Sequence, residues 1–320
     1  MYISFFVYLK LKCLIYINLS LIFNFNLLPL NLNYFDLKEE NINTNSTSNS
    51  HPKEENIKKI SVHVPTHLKP INDTELGHYL AGLIDGDGHI HIRYIAISFN
   101  FLDASLAYFI KSKIGFGNVY KIKNKKAISL VISKKEGIYK ILSLINGKLR
   151  SENKLNQVNR FLSNSTHDLI KNKLNFKLNE LQDLNNYWLT GFSDADASFQ
   201  IKILNRINRK KPEIRLSFQI DQKKDLLLKA IKGFLGGNIG YRKTQDTFYY
   251  SSTNFGAARN VINYFDKYHL LSSKHVNYLK WRKVYILIQN KQHLDSLGIK
   301  KIIKIKNSMN SFSNEKLDLS

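Results

Sequence analysis

The sequence predicts an α+β fold in which a unit of order αββαββα occurs twice, giving a pseudo-twofold saddle of two antiparallel sheets with two motif helices packed at the centre. A nine-residue phrase is repeated, as LAGLIDGDG from Leu80 and as LTGFSDADA from Leu189. Behind each copy, apolar and polar residues alternate with a period of two, which is typical of half-buried strands. A second pair of matching phrases follows in the same order, GNVYKIK from Gly117 and GNIGYRK from Gly237.

The chain of 320 residues is long enough for about two domains, and its pattern divides it into four parts. We expect residues 1–73, an apolar leader and a polar linker, to lie outside the fold. Residues 74–163 form the first half, 164–179 a linker and 180–320 the second half. The charge-free stretch from Cys13 to Phe35 could cross a membrane by length, but it carries several asparagines. A weak anchor, a removed leader and translated flanking sequence stay open for it; we expect one of the last two, and no membrane contact.

Each half opens with a helix that ends at a pair of aspartates, over Thr74–Asp87 and Leu181–Asp196. Small residues recur four apart on these helices and therefore share one helical face. Because small residues let two helix backbones approach closely, we predict that the helices pack against each other along a pseudo-twofold axis. The predicted contact residues are Gly82, Gly86, Gly191 and Ala195.

Strands follow each helix, and their alternation separates an apolar face from a polar one. In HIHIR, Ile90 and Ile92 are predicted to point inward, and SFQIK and IRLSFQI repeat the pattern. Asp103 and Asp221 are predicted N-caps of the next helices, which should extend to about Ile114 and Leu235. The predicted outward-facing residues are His89, His91, Arg93, Lys121, Lys123, Ser198, Gln200, Lys202, Arg215, Ser217, Gln219 and Lys243.

The charge of the chain points to a polyanionic partner. Lys and Arg number 48 against 25 Asp and Glu, so the formal net charge is +23. Nucleic acid and an anionic membrane surface both fit that charge. A polar, basic sheet face is either an ordinary solvated surface or a surface that contacts double-stranded DNA through base edges and phosphates, and the charge favours DNA. A single cysteine, Cys13, excludes intrachain disulfides and zinc–cysteine clusters.

Packing of the two motif helices brings their C-terminal aspartates, Asp87 and Asp196, together. Carboxylates there oppose the helix dipole and repel each other, so a cation should compensate them. Hard oxygen ligands suit Mg²⁺, and two or more such ions between the acids and a phosphate could activate a water molecule. The alternative is that lysines neutralise solvated carboxylates. For the preceding acids, Asp85 and Asp194, we expect that second, structural role.

The paired phrases LAGLIDGDG and LTGFSDADA resemble the signature of the LAGLIDADG homing endonucleases in the single-chain, two-motif form. The resemblance covers about Thr74–Asn310 and includes YFDKYHLLSSKHVNYLKWRKVY and IKKIIKIKNSMN. It implies a monomeric, site-specific endonuclease that makes a metal-dependent double-strand cut in a long asymmetric DNA site and so promotes intron mobility. The alternative is a maturase on the same scaffold that binds its own intron RNA, alone or in addition to cutting DNA.

The resemblance also implies site residues. Asp87 and Asp196 become metal ligands, completed by the backbone carbonyls of Gly86 and Ala195. A lysine near the cleavage centre of each half corresponds to Lys274 and, by the alignment of LRSENKLNQVNRF, to Lys154. The family usually has glycine at the position of Ala197, so we expect a tolerated or slightly strained exit from the second helix. Residues with AT-rich codons are abundant, which favours a mitochondrial origin, with a plastid as the alternative.

Overall fold

The computed structural model describes residues 59–164, 176–179, 183–207 and 211–309. Predictions about the apolar leader, and most of the predicted linker 164–179, therefore lie outside the described residues. In the described ranges no helix has both the length and the apolar character needed to cross a membrane.

The first half contains four helices and four strands. They are α1 (Asp73–Asp87), β1 (Gly88–Ile90), β2 (Ile95–Asn100), α2 (Ala104–Ile114), β3 (Asn118–Lys121), β4 (Ala127–Ile132), α3 (Lys135–Ile145) and α4 (Glu152–Ser163), with a short 3-10 turn at Phe101–Asp103.

The second half repeats this order and adds a C-terminal helix. Its elements are α5 (Trp188–Asp196), β5 (Ala197–Leu204), β6 (Glu213–Gln222), α6 (Leu226–Leu235), β7 (Asn238–Arg242), β8 (Thr247–Ser251), α7 (Phe255–Phe265), α8 (Lys274–Gln289) and α9 (Ser296–Ser308), with a 3-10 turn at Gln292–Leu294. The first half thus ends with two helices and the second with three, whereas one closing helix is predicted for each half.

Two four-stranded antiparallel sheets form, in the orders β1-β2-β4-β3 and β5-β6-β8-β7. The same order in both halves confirms the predicted duplication and the α+β class. In the first sheet Ile97 pairs with Leu130, and in the second Ile220 pairs with Tyr250. All four side chains are fully buried, so the central strands β2, β4, β6 and β8 present their apolar face to the helices.

The helices α1 and α5 pack directly against each other between the sheets. A Cβ atom on Gly82 would lie 1.9 Å from the carbonyl oxygen of Trp188, and one on Gly191 would lie 2.0 Å from that of Tyr79. One turn later, a Cβ on Gly86 would lie 2.3 Å from the Cβ of Ala195. The structure therefore places the four predicted contact residues at the point where the two backbones come closest.

The folded part begins before the predicted boundary at residue 74. Residues 59–71, which we name the N-terminal strap, run along α8 of the second half. The backbone of Ile60 exchanges two hydrogen bonds with the side-chain amide of Gln289, at 2.8 and 3.0 Å. Arg282 donates from Nη2 to the carbonyl oxygens of Ser61 and His63, at 3.0 and 3.1 Å. The Ile60 side chain is 8% exposed, so this short segment contributes to the core despite its polar surroundings.

One predicted helix cap and one predicted helix start are wrong, and the other cap is confirmed in position only. Asp103 is the N-cap residue of α2, but its side chain makes no cap hydrogen bond: the carboxylate accepts instead from the backbone N–H of Ser273 in the other half, at 2.6 Å. Asp221 lies within β6 and pairs with Arg242. The second motif helix begins at Trp188, because the side chain of Asn186 accepts from the Trp188 N–H at 2.9 Å.

Candidate active site and nucleic-acid interface

Both motif helices end at their second aspartate because the chain enters a strand at once. Gly88 and Ala197 follow the two helices in extended conformation, with φ,ψ of −80°,151° and −88°,159°. These angles are open to any L-residue. The chain therefore leaves the second helix at Ala197 without backbone strain, which is the tolerated exit of the two expected.

The carboxylates of Asp87 and Asp196 lie close together at the two helix ends. Burial raises the pKa of both carboxyls, and the charge of Asp87 raises that of Asp196 further. The ammonium groups of Lys274 and Lys154 act in the opposite direction on both acids. Two acids and two lysines thus form one electrostatic cluster. Such a cluster can bind cations and stabilise negative charge on a phosphate.

Both lysines point back at the helix ends. Lys274 is the first residue of α8, and its Nζ donates to the carbonyl oxygens of Ala195, at 2.6 Å, and Ser193, at 3.2 Å. Lys154 lies in the first turn of α4 and donates to the carbonyl oxygen of Gly88. Burial lowers the pKa of both ammonium groups, and the neighbouring aspartates oppose that effect.

The predicted carbonyl ligands have different surroundings. The carbonyl oxygen of Ala195 already accepts from Lys274, so an ion bound there would use the second lone pair of that oxygen. Gly86 lies at the contact between the helices, where its Cα faces Ala195 and the Asp196 carboxylate. The structure places both residues beside the paired acids.

Gln222 is a site residue that sequence reasoning missed. Its Nε2 donates to Oδ2 of Asp196 at 2.6 Å from the last residue of β6. The repeat gives no signal for it: Gly88 pairs with Ile97 and Ala197 with Ile220, so Gln222 corresponds to the buried Phe99 of the first half. Asp103 lies beyond the end of β2 and lines the cavity of Asp87.

Two cavities flank the paired acids. The first, of about 370 Å³, is lined by Asp87, Asp103, Lys126 and Lys274 among others. The second, of about 540 Å³, is lined by Asp196, Gln222, Lys154 and Lys224 among others. Each cavity therefore combines one of the paired acids with one of the two lysines.

The first aspartate of each motif is buried, so the prediction that these acids are solvated is wrong. Asp85 is 6% exposed and accepts from the backbone N–H groups of Arg150, at 2.8 Å, and Ser151, at 3.2 Å. Burial raises its pKa to about 6 despite these bonds. Asp194, 7% exposed, accepts from the N–H groups of Leu271, at 2.9 Å, and Ser272, at 3.3 Å.

The predicted DNA-facing residues fall into three groups. Seven are exposed, namely His89, Arg93, Lys121, Lys123, Lys202, Arg215 and Lys243, and His91, Ser198 and Gln200 are partly exposed. Ser217 and Gln219 are buried, at 2% and 8% exposure, so their prediction as exposed residues is wrong. They lie on the central strand β6, where Ser217 Oγ bonds Ser251 Oγ at 2.7 Å and Gln219 donates to Asp221 at 3.0 Å.

The connection between β1 and β2 carries an aromatic stack on this surface. The rings of His91 and Tyr94 stack with centroids 4.7 Å apart, and His89 lies 6.2 Å from His91. The strand ends at Ile90, so Ile92 belongs to the turn and is 41% exposed; its predicted inward orientation is wrong.

Comparison with known proteins identifies relatives of the chain. A sequence profile described as LAGLIDADG endonuclease matches residues 189–285. A 37.2 kDa protein of cox1 intron 2 from Schizosaccharomyces pombe is 52% identical over 275 residues, covering 85% of this chain and 84% of that protein. The intron-encoded DNA endonuclease aI3 of Saccharomyces cerevisiae is 30% identical over 271 residues, covering 69% of this chain and 65% of that protein.

Solved structures share the fold. The LAGLIDADG homing endonuclease I-LtrWI bound to target DNA superposes with a TM-score of 0.60 at 24% identity, over 75% of this chain and 99% of that one. I-SmaMI bound to uncleaved DNA in the presence of calcium ions superposes with a TM-score of 0.58 at 23% identity, over 73% of this chain and 98% of that one.

Proposed function

The chain belongs to the LAGLIDADG endonuclease family, and we propose that it is a homing endonuclease that cuts both strands of a long, asymmetric DNA site and so promotes the mobility of an intron. The observation that carries this proposal is the cluster of Asp87, Asp196, Lys154 and Lys274 at the meeting point of the two motif helices. It lies between two sheets whose exposed residues are basic, so a duplex that follows both sheets would pass over it.

The sheets supply the DNA contacts. Exposed cations lie on both, with Arg93 and Lys121 in the first half and Lys202 and Arg215 in the second. Phosphate contacts from such residues fix the position of the duplex, and base edges in the major groove supply sequence information. Because the two halves differ at these positions, the preferred site should be asymmetric. The relatives' link to introns supports an intron-encoded protein, and the cox1 relative supports a mitochondrial origin.

The donor set at the helix ends fits a hard divalent cation such as Mg²⁺. Asp87 and Asp196 are adjacent carboxylates whose pKa values are raised by burial, so a nearby positive charge stabilises their ionised forms. In the described ranges no three His, Cys, Asp or Glu side chains form a metal-binding group, so further ligands would come from water, DNA phosphate and the carbonyls of Gly86 and Ala195. When bound, Mg²⁺ lowers the pKa of a water molecule and neutralises charge on the leaving oxygen.

The residues around the paired acids then have separate roles in the reaction. The two acids would bind the cations that face the scissile phosphates of the two strands, since one acid lines each cavity. Lys274 and Lys154 place a positive charge beside each, where negative charge develops on the phosphate. Gln222 orients the carboxylate of Asp196 through its hydrogen bond. Because one chain supplies both motifs, we infer that it acts as a monomer.

The test is cleavage by the full-length chain of intron-free cox1 DNA, chosen because of the cox1 relative, with Mg²⁺ and then with EDTA. The same DNA carrying the intron, which interrupts the site, is the matched control. One defined double-strand cut in the intron-free DNA, lost with EDTA and absent from the control, supports the proposal. If the protein binds intron RNA tightly and leaves intron-free DNA intact with Mg²⁺, the maturase alternative replaces it.

A further inference from the structure

A symmetric pair of hydrogen bonds crosses between the two motif helices. Tyr79 and Trp188 occupy equivalent positions, each immediately before the repeated phrase. The hydroxyl of Tyr79 donates to Oδ2 of Asp194 at 2.9 Å, and Nε1 of Trp188 donates to Oδ2 of Asp85 at 2.8 Å. Each aromatic side chain thus reaches from its own helix to the first acid of the other helix, and all four residues are buried.

The acids that receive these bonds hold the segments that lead to the two lysines. Asp85 binds the backbone N–H groups of Arg150 and Ser151, directly before the helix that carries Lys154. Asp194 binds those of Leu271 and Ser272, which precede Lys274 by three and two residues. The hydroxyl of Ser272 adds a further bond to Asp194, to which its Oγ donates at 2.5 Å.

A buried carboxylate with several donors holds its orientation, and removal of one donor leaves part of its charge unsatisfied. The segment attached to that carboxylate then shifts or loosens. In the first half this displaces Lys154, which lines the cavity of Asp196; in the second it displaces Lys274, which lines the cavity of Asp87. The two effects are separate because each aromatic residue reaches one acid only.

We propose that Trp188 and Tyr79 are crossed positioning residues, with Trp188 holding the segment of Lys154 and Tyr79 holding the segment of Lys274, so that each controls the cutting of a different DNA strand. This inference rests on the proposed endonuclease function. It assigns a role to two aromatic residues that do not contact the paired acids. It also makes the position of each lysine depend on the motif helix of the other half.

The experiment measures single-turnover cutting of each strand by full-length protein, on duplex DNA with a different label on each strand. Trp188→Phe removes the indole donor, and Trp188→Tyr is its matched control, because tyrosine makes the equivalent bond in the other half. Tyr79→Phe removes only a hydroxyl, and Tyr79→Trp is its control. Lys154→Met and Lys274→Met identify the strand that each lysine serves.

We expect Trp188→Phe to slow one strand by roughly ten- to a hundredfold, the same strand that Lys154→Met slows. Tyr79→Phe should slow cutting of the opposite strand, which is the strand that Lys274→Met slows. The control variants Trp188→Tyr and Tyr79→Trp should cut the affected strand at close to the unaltered rate. A general loss of stability would slow both strands alike, so equal slowing, or none, overturns the inference. Failure of the unaltered chain to cut either strand would instead contradict the proposed function itself.

Discussion

At the scale of single residues, the contact between α1 and α5 depends on two positions that lack a side chain. The carbonyl oxygens of Trp188 and Tyr79 occupy the space where Cβ atoms of Gly82 and Gly191 would lie. Both opposing atoms belong to helix backbone, which cannot shift without separating the helices. The spacing of the paired acids therefore follows from these two glycines.

We predict that Gly82→Ala and Gly191→Ala each lower the free energy of unfolding by about 3 kcal/mol, because the new methyl groups would overlap backbone atoms. Gly233→Ala is the matched control, since Gly233 is an exposed residue of α6 whose Cβ would meet nothing within 4 Å. Removing a helical glycine there should stabilise the chain by about 0.5–1 kcal/mol. Urea unfolding of the three variants measures both effects, and equal behaviour of all three would contradict this account of the contact.

Residues whose role follows from repetition were predictable, and residues whose role follows from tertiary contacts were not. Asp87 and Asp196 stand out because both copies keep an acid at the end of an apolar, repeated phrase. The burial of Asp85 depends on a backbone segment 65 residues further along the chain, which no local pattern reveals. Ser217 follows the period-two rule in sequence, yet neighbouring strands cover it.

At the scale of elements, the N-terminal strap joins the chain before α1 to the far half. It follows α8, so that His67 contacts the segment before Lys274 while Ile60 lies near the other end of that helix. Composition alone placed these residues in a polar linker, because one buried isoleucine gives no periodic signal. The order of strands and motif helices, which repeats over many residues, agrees with the prediction, apart from the start of the second motif helix and the end of β1.

We expect Ile60→Ala to release the strap, because the 8%-exposed side chain is its main apolar contact with the core. The variant should lower the free energy of unfolding by about 2 kcal/mol and speed hydrogen exchange in residues 59–71. Val62→Ala is the control, since Val62 is 64% exposed. If both variants leave exchange in the strap unchanged, Ile60 does not hold it.

The strap also brings three histidines together. The ring of His67 lies with its centroid 5.2 Å from that of His269 and 4.6 Å from that of His275. Burial, followed by the charges of His67 and His269, lowers the pKa of His275 from 6.5 to about 4, against the opposing effect of Asp266. Burial also lowers the pKa of His269.

A lowered histidine pKa makes the folded state bind fewer protons than the unfolded state between the two values. Stability contributed by neutral His275 is therefore complete above pH 6.5 and is lost as the pH falls toward about 4. Because the side chain is partly exposed, we expect a loss of only about 1–2 kcal/mol. His275→Gln should reduce the pH dependence of the free energy of unfolding, and substitution of the exposed His63 by glutamine should not. If His275→Gln leaves this pH dependence unchanged, His275 does not contribute to it.

At the scale of the whole molecule, the net charge of +23 and the exposed sheet faces predict salt-sensitive DNA binding. Affinity should fall linearly with salt on logarithmic axes, because bound lysines and arginines release counterions. We expect Lys202→Gln to reduce that slope by about one, and Ser217→Ala to leave it unchanged, because the serine is buried. Equilibrium binding across a salt series measures both; a slope that Lys202→Gln does not alter would remove this lysine from the interface.

The central claim is that cutting of the two DNA strands requires the two carboxylates at the ends of α1 and α5. Its most direct test compares unaltered protein, Asp87→Asn and Asp196→Asn in one cleavage assay with Mg²⁺, with DNA binding measured on the same samples. Asparagine keeps the size of the side chain and removes its charge, so binding should persist. The account predicts that neither variant makes the double-strand cut. A variant that binds and still cuts both strands at the unaltered rate would contradict it.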